Sequence, residues 1–321
     1  MPISNFDRGF AGGISIRGVP ITLTHPGKVF WVSNSTAQLG NQKTGSDGNK
    51  GTFDAPFATL DYAIGQCTAS RGDIIFVKPG HAETISSATA LNLDVAGIAI
   101  VGLGAGSLMP TFTLDTATTT TIPVSADNIT IQNCRFSANF ADIVATFTTT
   151  TAKNFTLVGC YVKATATNMN FLNVVDTDAT SNNEDGLTIT GCTWIEPDTA
   201  TLGLVKLDGT NDRVEISDNY VSVGVKNNTA TLMAIATGKI VTNLRMTGNR
   251  VYRLNTDTAT GGLLLTTDGS TNTGIVANNF AQHADTAAEV LVTASSGLGF
   301  FENRASGVAG ATGYVLPTVD S

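Results

Sequence analysis

Asn154–Val162, NFTLVGCYV, is the stretch whose reading decides the fold. Phe155 and Leu157 flank Thr156, a Gly–Cys pair follows, and Val162 returns to the apolar side after Tyr161. Apolar residues two apart around a polar one have the period of a strand with one buried face. The same pattern recurs outward in both directions, at Gly97–Ala105 (GIAIVGLGA), Asn128–Phe136 (NITIQNCRF), Gly186–Trp194 (GLTITGCTW), Arg213–Val221 (RVEISDNYV), Asn243–Val251 (NLRMTGNRV), Asn272–Phe280 (NTGIVANNF) and Gly297–Ala305 (GLGFFENRA). The last two copies need small adjustments of register.

Aligned on the turn, the central column reads Ile100, Ile131, Leu157, Ile189, Ile216, Met246, Ile275, Phe300. The column two residues earlier reads Ile98, Ile129, Phe155, Leu187, Val214, Leu244, Thr273, Leu298, and the one after the turn Ala105, Phe136, Val162, Trp194, Val221, Val251, Phe280, Ala305. Thr273 is the sole polar member. The turn column, Leu103, Cys134, Cys160, Cys192, Asn219, Asn249, Asn278, Asn303, advances by 31, 26, 32, 27, 30, 29 and 25 residues.

Each step accommodates one coil of a solenoid. Further strands are expected between the copies, at 170–176, 203–208, 232–237, 262–267 and 289–293. The sequence therefore predicts an all-β fold, a single-stranded right-handed parallel β-helix of about eight coils, in which like residues stack about 4.8 Å apart. Asn in the turn column is expected to take the left-handed bend and pass amide hydrogen bonds from coil to coil. Cys134, Cys160 and Cys192 are expected to be small, reduced, apolar fillers at the same level.

Composition agrees with strands and turns. Charged residues are 14% of the 321, with 33 Gly and 9 Pro. The net charge of −8 and pI near 4.8 argue against a phosphate-tracking surface, so no nucleic-acid partner is expected. The first ten residues lack the basic and apolar regions of a secretory signal, and no stretch approaches the roughly 18 apolar residues of a membrane span, so no membrane partner is expected.

Ala55–Ala69 (APFATLDYAIGQCTA) reads as an amphipathic capping helix, with Pro56 in its first turn and Phe57, Leu60, Ile64 and Cys67 on one side. An open solenoid end exposes unpaired strand edges, which a cap would cover. The chain thus divides into an N-terminal arm (1–27), the β-helix with its capping helix (28–305), and a C-terminal tail or cap (306–321). The arm is either an extension onto a neighbouring subunit or a strand pair docked on the chain itself.

Val29–Asn34, the turn Gly45–Thr52 (GSDGNKGT), Ala55-Pro56-Phe57-Ala58-Thr59-Leu60, and Gly72-Asp73-Ile74-Ile75 followed by Lys78-Pro79-Gly80 resemble the opening region of pectin-lyase-like β-helix proteins. The chain also resembles the virion structural proteins of this fold in tailed phages, including head-decoration and spike proteins. That likeness covers roughly residues 28–305. It implies the fold more strongly than any activity, because lyases, hydrolases and inert structural members share it.

Enzymes of that superfamily bind acidic polysaccharides with carboxylates that hold calcium or act in pairs. Asp176 and Asp208 end comparable strands one coil apart, with Lys206 close by, and are the best sequence candidates for such a pair. Their other reading is as turn residues. Asp47-Gly48-Asn49 suggests a calcium loop, but Ala58 stands where an EF-hand needs Glu, so a turn is expected. His25, His81 and His283 are scattered and accompany no nucleophile motif. Arg245, Arg250 and Arg253 gather around one coil and suit an acidic partner or a solvated face. Aromatics are too few to announce a sugar-stacking groove.

No catalytic, cofactor-binding or metal-binding residue is assigned, and no cofactor is expected. The resemblance implies a non-enzymatic virion structural protein, foremost a capsid decoration protein on the head surface. It would act as a homotrimer whose partner is the major capsid protein or another virion protein. The alternative is a tailspike-like polysaccharide depolymerase or lyase, or a glycan-binding receptor module for a host surface glycan.

Overall fold

The computed structural model describes residues 15–16, 19–20, 27–35, 43–225, 231–254, 262–268, 271–283, 291–293, 296–306 and 313–314. The chain winds into a right-handed parallel β-helix of about seven turns, with three sheets running its length. Sheet 1 has ten strands, from Val29–Val32 to Ser296–Phe301. Sheet 2 also has ten, from Ala82–Ile85 to Arg304–Ser306, ending in Gly313–Tyr314. Sheet 3 has six, from Ile122–Val124 to Leu265–Thr266. Coil pairs with coil in parallel, and Gly313–Tyr314 alone joins sheet 2 antiparallel, against Arg304–Ala305.

The inward column of sheet 1 runs Ile75, Ile100, Ile131, Leu157, Ile189, Ile216, Met246, Val276, Phe300. Val276 thus replaces the expected Ile275, which faces outward at 47% exposure. The cause is an irregularity between Thr271 and Gly274, where Gly274 rather than Thr273 stands between Leu244 and Leu298. A Cβ on Gly274 would lie 2.0 Å from the Leu244 carbonyl oxygen, so the close approach requires glycine. The same one-residue shift brings Asn279 into the turn ladder in place of Asn278, and Ala281 into the next inward column in place of Phe280. At the other end, Phe112 rather than Ala105 pairs with Phe136, because the chain detours through a 3-10 turn, Gly106–Leu108, before re-entering sheet 2.

Inside, Phe112, Phe136, Phe147 and Phe155 form a run of ring contacts with centroids 5.7, 4.9 and 5.3 Å apart. Each is fully buried and contributes roughly 1.5–3 kcal/mol. Two columns of left-handed residues make the bends. Gly97, Asn128, Asn154, Gly186, Arg213 and Asn243 precede sheet 1, while Asn133, Gly159, Gly191, Asp218, Gly248, Asn278 and Glu302 follow it, all with φ between 50° and 80°.

The expected role of the turn asparagines therefore divides between neighbours. The residue before each turns the chain, and Asn219, Asn249, Asn279 and Asn303 point inward. Their Nδ2 groups donate to the carbonyls of Ile189, Ile216, Met246 and Val276. Asn219, Asn249 and Asn279 also donate to the Oδ1 of the next asparagine, at 3.0, 2.8 and 2.9 Å.

The helix spans Leu60–Gly65, much less than the expected 55–69. Phe57 is held in extended form at the edge of sheet 1, its N–H donating to the Trp31 carbonyl and its own carbonyl accepting from Ser33. Thr59 then caps the helix by accepting from the Tyr62 N–H, and Gln66 closes it. Leu60, Ala63 and Ile64 are buried, and the helix packs on Val29–Val32 and Ile74–Val77, the first two strands of sheet 1.

Of the expected arm, Ser15–Ile16 and Val19–Pro20 form a small antiparallel pair. No helix among the described residues is long and apolar enough to cross a membrane.

Candidate functional site

Sheet 3 brings the sequence candidates together. Asp176, near the end of Phe171–Thr177, stands beside Lys206 of Gly203–Leu207 in parallel register. Lys206 Nζ lies 3.1 Å from Asp176 Oδ1 and 2.6 Å from Asp208 Oδ2, so one ammonium bridges both carboxylates. Asp208 is tied down further, its N–H donating to Thr177 Oγ1 at 2.9 Å. A cleft of about 350 Å³ lies alongside, with Leu202, Gly203, Ala234, Ala236 and Thr237 in its walls.

Burial pushes the Asp176 carboxyl above its ordinary pKa, although the Lys206 charge opposes the shift. For Lys206, burial works against the charge, but the hydrogen bond to Asp208 and the charge of Asp176 outweigh it, so its pKa is raised. The lysine is therefore a cation locked between two anions rather than a free base. The arrangement acts as a strut across two coils, and the cleft gives an extended ligand room beside it.

The three arginines do not form one patch. Arg245 lies on the outer face of sheet 1, 3.7 Å from Glu215. Arg250 is exposed on sheet 2, whereas Arg253, at the end of the same strand, points inward and is 1% exposed. The strand alternation separates them, which spacing along the chain did not reveal.

Sheet 2 carries a second surface that the sequence reading missed. In register across successive coils stand Arg135, Tyr161, Thr193, Tyr220, Arg250, Phe280 and Arg304. Tyr252 stands two residues along from Arg250 and links its neighbours, with ring centroids 5.4 Å from Tyr220 and 5.8 Å from Phe280. The Arg135 guanidinium lies 5.5 Å from the Tyr161 ring centre. A depression of about 490 Å³ opens at Arg250, Tyr252, Phe280, Glu302 and Arg304. The signal was present: Tyr220, Arg250, Phe280 and Arg304 each follow a ladder asparagine. Placing Asn278 in the ladder hid it.

The remaining candidates among the described residues are held within the fold. Asp47 accepts from the backbone N–H groups of Ala58 and Thr59 and from Thr59 Oγ1, fixing the approach to the helix, as a turn residue would. His81 is buried, accepts from the Asn34 N–H through Nδ1 and faces Glu83 Oε2 at 3.1 Å. His283 is buried at the end of a sheet 2 strand, and His25 lies outside the described residues. Cys134, Cys160 and Cys192 are buried free thiols, and burial pushes Cys134 well above its ordinary pKa. Among the described residues no cluster of three or more His, Cys, Asp or Glu is placed to hold a metal ion.

Two buried acids escaped the sequence reading altogether. Glu184 accepts from Thr149 Oγ1 at 2.7 Å, and burial raises its pKa to about 7. Glu196 is buried at the corner of sheets 2 and 3, where Oε2 accepts from the Phe171 N–H and burial raises its pKa well above the usual carboxyl range.

These surfaces belong to a parallel β-helix. No protein-family model matches the sequence, and no curated protein matches it. Among solved structures it is similar to a rhamnogalacturonan lyase, with a TM-score of 0.45 and 13% identity over 87% of this chain and 88% of that one.

Proposed function

We propose that this protein is a non-enzymatic structural component of a tailed-phage virion, a homotrimeric decoration on the head surface bound to the major capsid protein. The observation that carries this reading is the Asp176–Lys206–Asp208 strut. The carboxylates best placed for chemistry are engaged by one protonated lysine, on a rod whose coils are cross-linked by stacked side chains. The resemblance of the chain to tailed-phage virion structural proteins, head-decoration and spike proteins among them, supports the same reading. Mass spectrometry of purified virions followed by cryo-EM tests it. Density for the chain at regular capsid lattice positions is the expected result, and its absence from virions overturns the proposal.

A second reading, a polysaccharide depolymerase or glycan-binding module at the tail, is favoured by the cleft that Lys206 and Asp208 line. Release of reducing ends from host surface polysaccharide, lost in Asp208→Asn, would establish it in place of the first.

A further inference from the structure

The strip on sheet 2 is unlike the rest of the molecule. The chain carries a net charge of −8, yet this face presents Arg135, Arg250 and Arg304, with Glu302 the acidic residue beside them. Between the arginines lie Tyr161, Tyr220, Tyr252 and Phe280. From Arg135 to Arg304 the column crosses six coil steps, about 29 Å at roughly 4.8 Å each.

Tyrosine and arginine are the side chains that dominate protein–protein binding energy, since each combines a large contact area with a polar or charged tip. The ring geometry selects the kind of partner. Tyr220 and Tyr252 are inclined at 41°, and Tyr252 and Phe280 at 52°. With centroids 5.4 and 5.8 Å apart the rings pack on one another into one continuous apolar patch, without the row of parallel faces on which successive sugar rings would stack. The exposed guanidiniums of Arg250 and Arg304 suit carboxylates, which arginine engages in bidentate pairs, while Arg135, held to the Gly106 carbonyl at 2.6 Å, adds positive charge at the far end of the strip.

We infer that the arginine–aromatic strip of sheet 2 is a docking surface for an acidic protein face, which is the capsid surface if the proposal above holds. The inference rests on that proposal for the identity of the partner. Electrostatic attraction orients the rod on an otherwise acidic chain, and the tilted rings supply the desolvated contact. The strip is narrow, so binding to one site is weak and salt-sensitive, and repeated attachment across a lattice strengthens it.

The test uses virions of the parent phage made without this protein, to which full-length protein is added back and bound copies are counted. Wild type should bind, with affinity falling as salt rises. Arg250→Glu/Arg304→Glu should weaken binding by about tenfold or more. Tyr252→Ala should weaken it with less effect on the salt dependence, and Arg245→Glu, on sheet 1, should bind as wild type. Circular dichroism of each variant confirms that it is folded.

If wild type binds and the strip variants bind equally well, the strip is not the docking face while the virion assignment stands. If wild type does not bind, the virion assignment itself fails. If soluble polygalacturonate binds the free protein and the strip variants abolish that binding, the occupant is an acidic glycan and the inference is overturned.

Discussion

Replacing Glu184 with Gln should remove a specific part of the pH dependence of folding. The Glu184 side chain is fully buried and accepts from Thr149 Oγ1, and its backbone N–H donates to Asn211 Oδ1 at 3.1 Å. Burial raises its pKa from 4.5 to about 7, with Asp178 adding to the rise. A carboxyl whose folded pKa is raised binds protons more tightly in the folded state. Its contribution is fully present below pH 4.5 and is lost as pH rises through about 7. At about 1.4 kcal/mol per unit the rise from 4.5 to about 7 sets an upper bound of ~3.5 kcal/mol, and partial solvation around the site reduces this to ~1–3 kcal/mol.

Glutamine mimics the neutral acid and keeps an acceptor for Thr149. The variant should match wild type at pH 4.5 and exceed it by that amount at pH 7.5 and above. Urea unfolding followed by circular dichroism from pH 4.5 to 8.5 measures the difference. Glu196 remains in both proteins, so its titration cancels in the comparison. A difference between Glu184→Gln and wild type that stays constant across this range would refute the reasoning, because it would mean Glu184 titrates alike in folded and unfolded chains.

Ile216→Asp places an unpaired charge in the inward column of sheet 1 and should abolish cooperative thermal unfolding, seen by calorimetry. Gly274→Ala drives a Cβ toward the Leu244 carbonyl and should cost roughly 1–3 kcal/mol, read as a lowered urea midpoint. Asn249→Ala leaves the Ile216 carbonyl and the Asn219 N–H without their ladder partner and should cost roughly 1–3 kcal/mol per orphaned group. Asn243→Gly, at an exposed left-handed bend, should be within about 0.5 kcal/mol of wild type or above it in the same assay.

The coil was legible in the sequence because burial imposes a period of two, and stacking repeats it in every turn. Ile131, Leu157, Ile189, Ile216 and Met246 stand where their spacing placed them. The two misplaced coils each contain something periodicity cannot show. Near Gly274 an irregular strand absorbs a residue, and after Leu103 a 3-10 turn carries Ala105 away from the core.

The helix was overextended because the amphipathic pattern continues through Phe57. That residue is instead fixed by a strand bridge to Val32, which places its ring against Phe30 and Tyr62 from outside the helix. Asp176, Lys206 and Asp208 could be brought together from the repeat alone, since neighbouring coils align like positions. The sheet 2 strip needed the correct ladder register first. Glu184 and Glu196 gave no signal, because a buried acid in a corner looks in sequence like any solvated turn residue.

The asparagine ladder also gives the rod a direction. Every amide oxygen from Asn219 to Asn303 accepts from the coil before it, through the N–H groups of Cys192, Asn219, Asn249 and Asn279 in turn. The amide dipoles therefore align along the axis, and the two ends of the row differ chemically: one ends against a thiol-filled coil, the other at the Asn303 amide. A solenoid wired in this way behaves as a vector. Copies laid end to end would match only head to tail, and copies side by side would carry the same arrow only when parallel.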